Sequence, residues 1–352
     1  MTTAVVAIAA YDKPTEVSWE STNCTGEGIL PAGRIIGYNT KLLQNLLYSG
    51  IGRLLPRVRS REVLSIFSVP KAFRSETAVA QRNAIESWRR LHRDCEIILC
   101  GNEDGTEAAA EEFGAKYIAD IPRNHYGTPL VSAAFDLAGR AASHRMLCYV
   151  NADIILMRDM ILAVDAIQFA AFVMIGRRWD IWLTGSWDFS AADWETALRA
   201  YVREKGELHA PTGIDYFVFP RGAVGNLPPF AVGRPGWDNW IVYRARSSGL
   251  PVIDATQVVT AVHQNHGYAH VKDATDHTHE GPEADHNREL INGWDKVFDV
   301  RDATYRLVPA SPEQLRLRKN WRTAPVPVLR AQKQLLYFAG AGARALQRHF
   351  AW

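Results

Sequence analysis

The chain has 352 residues, 47% hydrophobic and 22% charged, the balance of a globular protein of one large domain or two smaller ones. Its net charge of +2 is unevenly spread, with +8 on residues 301–352 and −6 on residues 1–300. An acidic body argues against a nucleic-acid partner, and none is expected.

Residues 1–62 read as an N-terminal extension of open role. Met1–Ala10 is apolar but short and lacks the basic start of a signal peptide. Thr40–Leu55 has amphipathic helical spacing, weakened by Gly50 and Gly52, suited to a core edge or a membrane surface. Cys24, Cys95, Cys100 and Cys148 lack metal-type spacing and read as core thiols of a reducing compartment, so a cytoplasmic protein is expected. Met160–Ile175 is the most apolar long window, but Asp165 and Gln168 interrupt it, so it reads as helix then strand.

From Val63 the pattern becomes regular. A strand Val63–Val69 ends at Pro70-Lys71, and a helix follows over Ser75–Leu91. A strand Cys95–Cys100 runs into Gly101-Asn102-Glu103-Asp104-Gly105. A short helix, a strand Lys116–Ala119 and a helix from Pro129 to Ala141 come next. The apolar run from Met146 then stops at Asn151-Ala152-Asp153. Such alternation predicts an α/β fold with a doubly wound, mostly parallel sheet, whose strand ends at the carboxyl edge hold ligands. Asn151 and Asp153, one residue apart on extended chain, face the same side. That geometry suits a hard cation bound with diphosphate oxygens. The alternative is an Asn/Asp pair capping a turn. Neither G-x-G-x-x-G after the first strand nor a P-loop occurs, so dinucleotide and P-loop readings drop out.

Farther on, a strand Ala170–Gly176 leads to Arg177-Arg178-Trp179-Asp180, and a helix spans Asp193–Lys205. Asp215 stands at the entrance of a strand. Asp238 follows a Gly/Pro loop and precedes a helix over Trp240–Ser248. It is either a helix N-cap or an acid in a pocket suited to stacking sugars on Trp. Six of eleven histidines fall between residues 263 and 286. His263, at a strand end, is a candidate metal ligand beside Asp153; the others read as loop surface or substrate contacts.

Several strings belong together: Tyr-Gly-Thr-Pro-Leu (126–130), Gly-Arg-Arg-Trp-Asp (176–180), Gly-Ile-Asp-Tyr-Phe-Val-Phe (213–219), Gly-Arg-Pro-Gly-Trp-Asp-Asn-Trp (233–240) and His-Gln-Asn-His (263–266). With Asn151-Ala152-Asp153 they resemble nucleotide-sugar-dependent glycosyltransferases of the GT-A fold, bacterial family 2-like, over roughly Leu64–Leu307. The resemblance implies a GT-A domain at 63–308, a Rossmann-like sheet with an acceptor-side subdomain. Its nucleotide-binding half would be 63–157 and its acceptor half 158–308.

By that resemblance Asn151-Ala152-Asp153 takes the place of the D-x-D motif that holds Mn²⁺ or Mg²⁺ on the donor diphosphate, with Asn151 supplying no charge. The implied metal ligands are Asp153 and His263, with His266 second. Donor binding falls to Pro70, Lys71, Glu103, Gly127, Thr128, Asn151 and Asp153. Acceptor binding falls to Trp179, Asp180, Asp215 and Trp237. Asp238 matches the catalytic base of an inverting enzyme, with Asp215 in reserve. The implied activity is sugar transfer from a nucleotide-diphosphate donor to a glycan or lipid-linked acceptor in cell-surface polysaccharide or glycoconjugate synthesis.

Two other classes compete. A metal-dependent hydrolase could use the His263–His286 cluster, although its spacings match no H-E-x-x-H pattern. A catalytically silent carbohydrate-binding protein could keep the fold. A nucleotidyltransferase would carry a Gly-rich basic loop after the first strand, unlike Ser68–Arg74.

Residues 309–352 read as a basic tail split by Pro325 and Pro327, its second piece an amphipathic helix over Val328–Phe350. That helix would either pack on the acidic body or lie peripherally on an anionic membrane.

Overall fold

A computed structural model describes residues 63–265, 280–311 and 314–349, with residues 340–349 as backbone only. The chain divides into two compact units, Met1–Pro56 and Arg57–Trp352; the fold here is that of the second. The helix expected at Thr40–Leu55, Cys24 and His266 lie outside the described residues.

The protein is α/β, with a large, mostly parallel central sheet. Strands β1 (Leu64–Ser68), β2 (Glu96–Cys100), β3 (Lys116–Ile118) and β4 (Met146–Val150) form its first part, with β1 between β2 and β4 and all pairs parallel. Helices α1 (Ser75–Arg89), α2 (Thr106–Phe113) and α3 (Val131–Ala141) connect them. Both faces of the sheet are covered, which is why these strands read as unbroken apolar runs. Along β4, Met146, Cys148 and Val150 enter one core cluster, and Leu147 and Tyr149 the other. Cys100 and Cys148 are buried free thiols and Cys95 is a half-buried one; burial pushes Cys100 up to about 12.

After β4 come β5 (Ile154–Ile155), α4 (Asp159–Asp165), β6 (Val173–Ile175), β7 (Arg178–Ile181), α5 (Trp194–Lys205), β8 (Glu207–Leu208) and β9 (Tyr216–Pro220). Next are α6 (Trp237–Ser247), β10 (Val252–Asp254), β11 (Ala261–Gln264), α7 (Pro282–Ile291), β12 (Tyr305–Ser311), β13 (Gln314–Lys319) and α8 (Val326–His349). The large sheet runs β13-β12-β10-β6-β9-β4-β1-β2-β3 among the described residues, and β9 is antiparallel to both neighbours. A smaller sheet runs β5-β11-β7-β8.

The structure departs from the sequence expectations in three places. The strand β12 crosses residue 308 and turns back as β13, so the sheet extends into residues expected to form a tail. Its period-two pattern explains this, since Leu307, Leu315 and Leu317 face the core with basic residues between them. Helix α8 starts at Val326, because Pro327 sits in the first turn, where its missing N–H is not needed. Helix α6 starts at Trp237, with Gly236 (φ 89°) as its N-cap, so Asp238 lies inside the first turn and is not a cap before Trp240.

Candidate functional site

The site begins where β4 ends. Antiparallel β9 starts opposite that end, pairing Tyr216 with Val150, so Asp215 arrives beside Asn151. The Asn151 N–H donates to the Asp215 carbonyl at 2.9 Å, and Asn151 Nδ2 donates to Asp215 Oδ1 at 2.5 Å. Asn151 Oδ1 accepts from the Tyr149 hydroxyl at 3.0 Å. Both ends of the amide are therefore used. An aspartate at position 151 would set a second carboxylate against Asp215.

Asp153 enters the small sheet just ahead of β5. Three adjacent strands then bring their side chains together, because His263 on β11 pairs with Ile154 on β5 and with Asp180 on β7. His263 Nε2 lies 3.6 Å from Asp153 Oδ2, and His263 Nδ1 lies 3.1 Å from Asp180 Oδ1. Asp180 also accepts from Arg178 Nε at 2.9 Å and stands 2.6 Å from His209 Nδ1. Arg178 Nη1 reaches Asp215 Oδ2 at 2.8 Å, closing the network back to Asn151. Burial disfavours the His263 imidazolium, but hydrogen bonds to Asp153 and Asp180 outweigh it and raise the pKa to about 9. Burial would raise Asp180, yet hydrogen bonds from His263 and His209 and the Arg178 charge hold it well below the usual carboxylate range.

Asp238 reaches the site through its neighbour. Trp237 packs edge-on against Tyr149 at 5.2 Å and near Phe217 at 5.9 Å, which seats the start of α6 on the core. Burial raises the Asp238 pKa to about 7 against hydrogen bonds from the Asn239 and Gly236 amides, and the Asp215 charge adds to the rise. A half-buried carboxylate that titrates near neutrality is matched to proton transfer. Asp215 is placed differently: it is buried, and its two oxygens are taken by Asn151 and Arg178.

A cavity of about 140 Å³ opens at the ends of β1 and β4, lined among others by Lys71, Thr77, Gln81, Asn151, Asp153 and Gly233. Of the donor residues expected from sequence, Lys71, Asn151 and Asp153 meet there, and buried Pro70 is the link between lining residues Val69 and Lys71. Glu103, Gly127 and Thr128 do not line it. Arg123 donates to Glu103 at 2.8 Å and to the Gly127 carbonyl at 2.7 Å. The Gly127–Thr128 turn is held through Asn124 to Glu283, which also binds Arg234, so this loop braces the one that leads into α6. Trp179 points away from Asp180, into the core beneath the small sheet.

Sequence reasoning missed Gln81, Asn83, Gln264, Arg178 and His209. Gln81 clamps the Lys71 backbone, accepting from its N–H at 2.7 Å and donating to its carbonyl at 2.9 Å. Only the two-residue spacing of Arg178 and Asp180 on a strand offered a signal. The partners of the other four are far away in the chain.

No protein-family model and no curated protein sequence matches the chain. Among solved structures it is similar to glucosyl-3-phosphoglycerate synthase from Mycobacterium tuberculosis in complex with Mn²⁺, uridine diphosphate and phosphoglyceric acid. The identity is 16% and the TM-score 0.38, over 76% of this chain and 91% of that one. The same enzyme with Mg²⁺ and uridine diphosphate gives 15% and 0.38, over 84% and 97%. A further mycobacterial protein gives 14% and 0.40, over 84% and 94%.

Proposed function

We propose that the chain is a glycosyltransferase that moves a sugar from a nucleoside-diphosphate donor to an acceptor hydroxyl, with inversion and with Mn²⁺ or Mg²⁺. The observation that carries this is the meeting of Asp153, His263 and Asp180 beside the cavity at the ends of β1 and β4.

In the metal-free chain the His263 imidazolium bridges Asp153 and Asp180, so a hard divalent cation between Asp153 Oδ2 and His263 Nε2 would have to displace the Nε2 proton. Among the described residues no group of three or more His, Cys, Asp or Glu could hold a metal ion by itself. Two protein ligands suit a cation that shares its remaining positions with diphosphate oxygens and water. When bound, the cation would neutralise charge on the leaving diphosphate.

The chain's own groups account for the rest. Asp180 engages His263 Nδ1, which leaves Nε2 turned toward Asp153. Lys71 adds positive charge at the cavity lining. Asn151, held by Tyr149 and Asp215, presents a polar edge without charge. Asp238 takes the proton of the acceptor hydroxyl as it attacks, and Asp215 serves as the pin that places Asn151 and Arg178.

A thermal-shift screen tests the proposal. UDP-glucose and related donors should raise the melting midpoint only with Mn²⁺ or Mg²⁺ present, because a ligand of the folded state stabilises it by mass action. No shift with any nucleotide sugar, or the same shift in EDTA, counts against it.

The tail supports a second, peripheral interaction. The helix α8 has no acidic residue, and Arg330–Asp295 (2.6 Å) and Lys333–Asp302 (2.9 Å) hold its first turns on the body. Leu335, Leu336 and Phe338 stay exposed. Among the described residues no helix is long and apolar enough to cross a membrane. We infer that this face rests on anionic lipid. Co-sedimentation with phosphatidylglycerol but not phosphatidylcholine vesicles is expected, and it should be lost in the Leu335→Glu/Leu336→Glu variant; no binding at low salt ends the idea.

A further inference from the structure

Four tryptophans, Trp179, Trp182, Trp187 and Trp194, crowd the stretch from β7 to the start of α5. Trp179 and Trp194 pack into the core beneath the small sheet, with Trp194 edge-on to Phe189 at 4.9 Å. Trp187 also packs against that core but is partly exposed, and Trp182 is 57% exposed. A second, open cavity of about 220 Å³ lies between Trp187 and the first turns of α5. Its lining is Ser186, Trp187, Asp188, Ala191, Trp194 and Ala197, apolar rings and methyls with a polar fringe.

The loop that presents these rings is fastened to the candidate site. Asn83 Nδ2 donates to the Gly185 carbonyl at 3.2 Å, and Asn83 Oδ1 accepts from the Trp187 N–H at 3.1 Å. Asn83 Nδ2 also donates to Gln264 Oε1 at 2.8 Å, and Gln264 Nε2 donates to the Asp153 carbonyl at 3.1 Å. At the other end, the Asn265 N–H donates to the Ile181 carbonyl at 2.7 Å, so Trp182 leaves the sheet beside the strand that carries His263. The Tyr201 hydroxyl donates to the Trp182 carbonyl at 2.8 Å. The aromatic ledge and the Asp153–His263 pair thus share the same hydrogen-bonded frame.

We propose that Trp182, Trp187 and the cleft beside α5 bind pyranose rings of an extended glycan acceptor. The proposal rests on the transferase function above and names its acceptor class. A pyranose offers an apolar C–H face to the negative face of an indole, while its rim of hydroxyls needs hydrogen-bond partners at the edge. Ser186 and Asp188 stand at that edge, and Asp188 Oδ1 is held by the Ser190 N–H (2.9 Å) and hydroxyl (2.6 Å). A protein partner would call for a larger unbroken apolar patch. The hydrogen bonds through Asn83 and Gln264 tie this ledge to the backbone of Asp153.

Saturation-transfer NMR with maltohexaose, cellohexaose and chitohexaose tests it, with Mn²⁺-dependent UDP binding measured separately on the wild type. At least one hexaose should bind, and Trp182→Ala should weaken it about tenfold or more, with Trp182→Tyr keeping most of the affinity. Trp187→Ala should weaken it as well. UDP binding without any hexaose signal, or hexaose binding indifferent to both alanine variants, overturns the ledge and leaves the transferase standing. Hexaose binding that depends on Trp182, without Mn²⁺-dependent binding of any nucleoside diphosphate, supports the ledge and removes the transferase.

Discussion

Asp238→Asn is expected to slow sugar transfer by about 10²-fold or more while leaving donor binding near wild type. The amide keeps the shape of the carboxylate and can still accept from the first-turn N–H groups, so the variant isolates the loss of basicity. The wild-type rate should also depend on pH in a defined direction. On the proposed assignment Asp238 acts as the base only when ionised, and with its pKa raised to about 7 kcat should fall as pH drops through 7 and level off above it. The stability consequence has the opposite sign. A carboxyl whose folded pKa is raised stabilises the fold below its unfolded value, and that contribution is lost as pH rises through the folded value. Asp238→Asn should therefore raise Tm at pH 8 relative to wild type and change it little at pH 4. A loss of less than tenfold in kcat, or a flat rate between pH 6 and 8, would move the base elsewhere or point to a retaining mechanism.

On the proposed reading, Asp153→Ala should abolish transfer and the metal dependence of nucleoside-diphosphate binding together. Asp153 lies ahead of β5 with its carboxylate facing His263, so the variant removes the one anionic group of the proposed pair. Asp180→Ala offers a graded contrast. It leaves both proposed ligands in the chain but removes the carboxylate at His263 Nδ1, leaving Asn265 Oδ1 at 3.2 Å, and loss of such a supporting carboxylate weakens metal affinity by about 10–100-fold. Mn²⁺ titration followed by electron paramagnetic resonance reads both effects without requiring turnover. Unchanged Mn²⁺ affinity in Asp153→Ala would refute the assignment, and unchanged affinity in Asp180→Ala would reduce that residue to a partner of Arg178 and His209.

Much of the frame was legible because local pattern sufficed for it. The apolar runs at Leu64, Ile97 and Met146, each followed by helical spacing, announce buried parallel strands, and Asp153 stands out as an acid where one of them stops. The small sheet was not legible. Its strands are two to four residues long, and each acquires meaning only from a partner far along the chain, as Asp180 does from His263. The role of Trp179 was misjudged for the same reason, since its direction is set by the register of β7 against β11 and not by its neighbours in sequence. The start of α6 was placed three residues late, because a buried Trp at the first helical position leaves no polar cap to mark it.

The reversed strand β9 also bears on how the chain reaches its fold. It fills the gap between β4 and β6, yet it is synthesised after both. Until residues 216–220 have emerged, β4, all five of whose residues end up buried, has an edge without its final partner. Such an edge invites pairing with other chains. A fragment ending at residue 157 would keep β1 beside β4 but expose β4's other edge. Late closure by β9 makes the nascent chain dependent on rapid completion, and expression of truncated forms should yield insoluble material.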